Sequence, residues 1–323
     1  MAVPANITKA AAVNASLDQE FIKNFNGDSD RLAEILGIFG VERIAAGTAL
    51  KMLKVTGTLN NSKTDATTTL PGTGTFSLGS SSGTAYVEGD EVALSTFGTE
   101  WETVGEVVAK PYRKMTTAAA IQKAGYANAV LKTDQKMLSL IRADIIKEFF
   151  TFLDKGTGTA TGNGLQAAAA NVDARLGDTL EKNGDASTRI IHFINRGDAA
   201  AYLGAAPITT QNVFGLTYLE NFLGMTNVIL TSQVAKGKMY ATPAENIHIL
   251  GIDFAELAQG GLTYTQSANG LIGVAHAPAY DHVSTETNVL TGMLLFPEVK
   301  DYIVKGTIGD AAAAASVRAK ASK

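Results

Sequence analysis

The sequence predicts an α+β chain with a projecting two-stranded loop, and three observations carry that prediction. Apolar residues at helical spacing between about Thr117 and Leu153 mark one long helix. Two alternating segments, Leu50 to Leu59 and Trp101 to Tyr112, flank a stretch too rich in Gly, Ser and Thr to fold alone. From Arg189 onward, apolar strand-like runs alternate with helical segments as in a compact α/β unit.

Composition bounds the possibilities. With 323 residues and 46% hydrophobic content, the chain has ample material for a core. A net charge of -4 excludes the global basic footprint that neutralises nucleic-acid phosphates. Charged residues make up 18%, against roughly 25% in typical chains. Two readings account for this deficit: burial between subunits, or a composition simply rich in Ala, Gly and Thr. Cysteine is absent, which excludes disulfides and thiolate metal sites. The opening M-A-V-P-A-N-I-T-K-A lacks a basic region followed by an apolar one, and no window approaches the roughly 20 apolar residues of a membrane span. The expectation is a soluble chain without a secretory signal.

Taken in order, residues 1–47 read as an extended arm with a short amphipathic helix, built on Phe21, Ile22, Phe25, Leu32, Ile35, Leu36 and Ile38 and ending near Gly37 to Gly40. Leu50 to Leu59 reads as a strand and Trp101 to Tyr112 as its return partner. The intervening Asn60 to Gly83 exceeds the ~12 to 15 residues at which structureless loops become uncommon in compact domains. Such a segment finds partners for its backbone groups by lying across a neighbour. The long helix is broken near Asn128. Its second half has Thr133 or Asp134 as a cap and a stripe of Met137, Leu138, Ile141, Ile145, Phe149 and Phe152. Unbroken, it would reach about 55 Å at ~1.5 Å per residue.

Gly156 to Gly164 then reads as a turn-rich break, Leu165 to Leu180 as an Ala-rich helix, Arg189 to Asn195 as a buried strand and Arg196 to Leu203 as a helix. Strands follow at Asn227 to Thr231, Lys238 to Ala241 and Ile247 to Ile252, with a helix at Tyr218 to Leu223. Val289 to Phe296 and Tyr302 to Ile308 read as strands returning to the region of the long helix. The Ala-rich basic tail, residues 311–323, reads as frayed.

Few residues point to chemistry. Gly79 to Gly83, G-S-S-S-G, matches the nucleophile-elbow pattern but is followed by T-A-Y-V-E-G-D-E-V, a strand or loop pattern where that elbow needs a helix. The glycines at 156, 158, 162 and 164 miss the dinucleotide spacing and follow a helix. His192 lies in an apolar strand and reads as a hydrogen-bonded core imidazole. His276 and His282 flank Pro278 in a loop-like segment and read as a chance pair, and His248 belongs to no compact ligand spacing. Glu88, Asp90 and Glu91 read as a solvated or cross-subunit salt-bridging cluster, and Phe149, Phe150 and Phe152 as core. No enzyme, metal or cofactor site is expected.

The order of parts, together with A-Y-V-E-G-D-E-V-A-L-S at Ala85 to Ser95, the following W-E-T-V-G-E-V-V-A-K-P-Y-R-K-M-T-T-A-A-A, F-I-N-R-G-D-A-A-A-Y-L and T-N-V-I-L-T-S-Q-V-A-K-G-K-M-Y, resembles the major capsid protein of tailed bacteriophages, whose HK97-like capsid fold is shared with encapsulin shells. The resemblance implies an N-terminal arm (1–47), an extended loop (48–116), a peripheral domain with a long spine helix (117–185), an axial domain (186–285), returning peripheral strands (286–310) and a C-terminal tail (311–323). It also implies a homo-oligomer of pentamers and hexamers closing an icosahedral shell around double-stranded DNA, which the chain contacts weakly and nonspecifically. The expected setting is a virion capsid assembled in host bacterial cytoplasm, without membrane. The short N-terminal region implies a separate scaffold protein, beside a portal. Inter-subunit contacts are expected at Tyr86, Glu88, Glu91 and Trp101, with Lys63 near the loop tip as the candidate for a cross-link. An encapsulin-like cargo compartment is the alternative reading, and a phage tail or surface-fibre protein a more distant one.

Overall fold

The computed structural model describes residues 10–27, 30–45, 49–59, 67–70, 74–77, 94–186, 189–205, 227–267 and 270–309. The chain divides into two units, residues 48–106 and the remainder. The expected helix at Tyr218 to Leu223, the G-S-S-S-G segment and the tail lie outside the described residues.

The N-terminal segment forms two helices where an extended arm with one short amphipathic helix was expected. Helix α1 (Ala10–Gly27) and helix α2 (Asp30–Phe39) follow one another. Phe21, Ile22 and Phe25 on α1 and Leu32 and Ile35 on α2 recur at helical spacing and are all buried. They anchor the segment to the body, because an apolar stripe of this kind is stable only when covered. Gly40 ends α2 at φ +73, its N–H donating to Leu36 O, the left-handed termination that only glycine adopts without cost.

A three-stranded sheet takes the order β1 (Glu42–Ala45), β11 (Ile247–Asp253), β15 (Met293–Pro297). In the other unit, β2 (Ala49–Thr58) pairs with β5 (Thr96–Glu106), and β3 (Thr67–Leu70) pairs with β4 (Gly74–Ser77). The expected return strand, Trp101 to Tyr112, is two strands. β5 ends at Glu106, buried Val107 follows, and β6 (Lys110–Thr117) belongs to the larger unit. Pro111 lies within β6, which forms the edge of a four-stranded sheet ordered β12 (Thr265–Gln266), β13 (Ile272–Ala279), β14 (Ser284–Thr291), β6. An edge is where a strand tolerates a residue without an N–H.

The long helix is interrupted where expected. Helix α3 (Ala118–Ala124) starts with the Thr117 hydroxyl accepting from Ala120 N–H at 3.3 Å. Gly125 at φ +78 stops it, a π turn spans Ala127–Leu131, and helix α4 (Lys132–Leu153) continues. A single 55 Å strut therefore does not form. Neither Thr133 nor Asp134 caps α4, because the chain enters it already helical: Thr133 donates its hydroxyl to Ala129 O and Val130 O. The expected stripe is borne out at Leu138, Ile141, Ile145, Phe149 and Phe152, all buried.

The central five-stranded sheet has the order β7 (Gly158–Asn163), β16 (Val304–Gly309), β10 (Lys238–Pro243), β8 (Ile190–Asn195), β9 (Asn227–Thr231). Helix α5 (Leu165–Asn183) covers one face with Val172 and Leu176, against Ile194, Met239 and Val304. Phe149, Phe150 and Leu153 of α4 cover the other, against Ile191, Phe193 and Ile303. The alternation of Ile191 and Phe193 with Ile194 places each on its face by the period of two. Phe149 and Phe193 meet edge to face at 5.7 Å, and each fully buried aromatic of this kind contributes roughly 1.5–3 kcal/mol.

The glycine run after α4 is a strand and not a turn-rich break. A Cβ at Gly156 would lie 2.5 Å from Ile303, and one at Gly162 would lie 2.2 Å from Ala168 N, so glycine lets β7 run directly against β16 and the start of α5. The expected strand Val289 to Phe296 is likewise two strands. Gly292 separates β14 from β15 and hands the chain to a different sheet, and a Cβ there would meet Ile252 at 2.5 Å. Helices α6 (Arg196–Ala205) and α7 (Ala255–Gln259) complete the described elements.

Candidate assembly site

The ribbon of β2 and β5 sorts its side chains by register. Leu53 stands opposite Trp101, Val55 opposite Thr99 and Gly57 opposite Phe97. Directly opposed residues share a face, so Leu53, Val55, Phe97 and Trp101 form one apolar side. The reverse side carries Lys54 opposite Glu100 and Met52 opposite Glu102. A Cβ at Gly57 would fall 2.4 Å from the Phe97 ring, so the ring rests on bare backbone. The register shifts between Leu50 and Lys51, next to Gly105 at φ +143, a bulge beyond which pairing resumes at Leu50 and Ala49.

This apolar side is exposed to water: Phe97 and Trp101 at 66% each, Val55 at 61% and Leu53 at 44%. A two-stranded ribbon is marginal on its own, and a contiguous exposed apolar face marks an interaction surface. Trp101, expected to anchor the loop, is on this face. Leu53, Val55 and Phe97 were not singled out from the sequence, although the shared odd parity of 53 and 55, and of 97 and 101, is the signal that collects them. Tyr86, Glu88, Glu91 and Lys63 lie outside the described residues.

A second polar constellation sits inside the body. His276, expected in a loop, is on β13 and buried. Its Nδ1 lies 2.5 Å from the Asp18 carboxylate of α1, and its Nε2 3.3 Å from Asp134 of α4. The backbone N–H of His276 also donates to Asp18, at 3.0 Å. Asp134 accepts from Lys114 Nζ at 2.5 Å and from the Thr287 hydroxyl at 3.0 Å. Burial alone would lower the His276 pKa, but hydrogen bonds to Asp134 and Asp18 outweigh it and raise it from 6.5 to about 9. Burial likewise pushes Asp134 upward, yet hydrogen bonds from His276, Lys114 and Thr287 hold it below the ordinary carboxylate value. Nothing in the local sequence announces this cluster, since its members are up to 258 residues apart.

His192 is buried as expected, but neither ring nitrogen has a hydrogen-bond partner. Asp173 approaches Nε2 only to 3.7 Å, too far for a hydrogen bond. Burial lowers its pKa from 6.5 to about 4. His248 stacks on Phe296 at 4.9 Å, and His282 stands exposed in the turn Tyr280–His282. Among the described residues no group of His, Asp and Glu is placed to hold a metal ion, and no helix is long and apolar enough to cross a membrane.

Solved structures share this architecture. A phage-related protein from Bordetella bronchiseptica RB50 matches over 91% of this chain and 97% of its own, with TM-score 0.51 and 11% identity. The capsid of cyanophage P-SCSP1u matches over 84% of this chain and 87% of its own, with TM-score 0.50 and 8% identity. The chain has the HK97-like capsid fold. No family model matches the sequence, and no curated protein does. At such identities the likeness concerns the fold alone.

Proposed function

We propose that this chain is the major capsid protein of a tailed bacteriophage, copies of which self-assemble into an icosahedral shell enclosing double-stranded DNA. One observation carries the reading: a chain with a capsid fold has a two-stranded ribbon whose Leu53, Val55, Phe97 and Trp101 face is apolar and exposed. That face is satisfied when it lies on another copy. Covering each large side chain contributes roughly 1.5–3 kcal/mol, and association offsets much of that gain. A single contact is therefore modest. Repetition around a closed symmetric shell makes the sum large. With a net charge of -4, the inner wall holds DNA weakly and without sequence preference. A separate scaffold protein and a portal complete the proposal.

Negative-stain microscopy of the purified protein tests it, followed by assay of nuclease-treated particles for nucleic acid. Closed shells that protect double-stranded DNA are the expected result. Shells carrying protein cargo and no DNA would instead identify an encapsulin-like compartment. A compact monomer at all concentrations, with Trp101 shielded from solvent quenchers, would overturn the proposal.

A further inference from the structure

Helix α1 is joined to the body by apolar packing and by one ionic clamp. Phe21, Ile22 and Phe25 share a core with Leu138, Ile141, Ile272 and Val274. Asp18 is the acidic residue that α1 sends into the cluster at His276. The imidazole spans two elements, since one ring nitrogen faces Asp18 on α1 and the other faces Asp134 on α4. We propose that α1 is a detachable helix, held down by a proton-bearing clamp in which His276 bridges Asp18 to Asp134, and that loss of the bridging proton frees α1 while the sheets stay folded.

The charges facing the imidazole support this. From α1 come Asp18 and, at the rim of an adjoining cavity, Glu20; from α4 comes Asp134; from β6 comes Lys114. Tyr126 before the π turn senses the Asp134 charge, while Thr265 of β12 donates to Asp18 at 3.4 Å and Thr287 of β14 to Asp134. The two carboxylates in contact with the imidazole are balanced by its proton and by the Lys114 ammonium. Remove the proton, and one buried carboxylate loses its counter-charge, a costly arrangement away from water. The Asp18 carboxylate is on the helix that leaves most readily, because α1 takes part in no strand pairing and α4 is packed on the central sheet. A cavity of about 60 Å³ between α1 and α4, lined by Glu20, Asn24, Gln135, Asp134 and His276, has room and polar partners for a water beside the clamp. A water held there would give the buried proton a route to solvent.

The pH window follows from the raised His276 pKa. Its value in the folded chain, about 9, exceeds the ordinary 6.5, so the clamp contributes fully below about 6.5 and is lost progressively as pH rises through 9. Hydrogen exchange on the full-length chain, comparing protection of α1 with that of α5 from pH 6.5 to 10, tests the proposal. Relative to α5, protection of α1 is expected to fall about 100-fold across that range, about tenfold for each pH unit within the window. In His276→Gln, α1 protection is expected to be low and flat with pH while α5 is unchanged. Asp18→Asn, which leaves the His276 and Asp134 pair intact, is expected to shift the fall to lower pH. Protection of α1 that tracks α5 at every pH, or a variant curve that superimposes on the wild type, would overturn it.

Discussion

Leu53 and Trp101 stand directly opposite one another on the β2–β5 ribbon, and both project into water. Such a cross-strand pair contributes within the ribbon only roughly 0.2–1 kcal/mol, so most of its apolar area is left for a partner. Replacing both with Ser is expected to abolish particle formation, with sedimentation velocity showing only small species. The far-ultraviolet circular dichroism and the protection of α5 should match the wild type, because neither residue belongs to a core cluster. Normal shells from the double variant would remove the ribbon face from any role in assembly.

Asp134 gathers His276, Lys114 and Thr287 around one buried carboxylate. Asp134→Ala leaves Lys114 without its carboxylate partner and His276 with Asp18 alone, and breaking a buried pair from one side typically costs 3–5 kcal/mol. Urea denaturation of the variant should show a loss of roughly that size. Adding Lys114→Met removes one stranded charge and should restore part of it. The wild type should also weaken in acid: the Asp134 pKa is held below its ordinary value, so its contribution is complete above that ordinary value and disappears as pH falls through the lowered one.

His192 makes the opposite case, a buried base with nothing to bind. Its folded value of about 4 lies below 6.5, so the unfolded chain takes up a proton first as pH falls. Stability is present above about 6.5 and is lost as pH falls through 4, by about 3 kcal/mol at ~1.4 kcal/mol per unit. His192→Leu should remove this part of the acid loss, leaving a flatter urea midpoint between pH 6.5 and 4. At neutral pH the change is expected to be neutral or stabilising, because it deletes two unpaired buried nitrogens.

What was legible in the sequence was local. The α4 stripe and the strands Leu50 to Leu59 and Arg189 to Asn195 announce themselves through period, and all three form. Glycine was misread twice, at β7 and at Gly292, because its meaning depended on what approaches it: Ile303 and Ala168 in one place, Ile252 in the other. The strand from Trp101 to Tyr112 ran through a change of unit that no residue type signals. His276 was read as a loop residue because it and His282 flank Pro278, whereas Pro278 sits in the ladder opposite Thr285. Its two carboxylate partners come from α1 and α4, and only the fold brings them together.

Two glycines separate conformational freedom from lack of space, and they predict opposite signs. Gly177 lies inside α5 with nothing within 4 Å of where its Cβ would be. Alanine there loses no contact and restrains the unfolded chain, so Gly177→Ala should stabilise by about 0.5–1 kcal/mol. Gly162 lies on β7, and its Cβ would sit 2.2 Å from Ala168 N and 2.4 Å from Ala167 C, backbone atoms of the first turn of α5 that no side-chain rotation can move. Gly162→Ala must push α5 away from β7, and overpacking of this kind typically costs 1–3 kcal/mol, occasionally more. Thermal unfolding of the two variants should place their midpoints on opposite sides of the wild type. A Gly162→Ala midpoint at or above the wild-type value would show that the close approach of α5 to β7 does not hold in the folded chain.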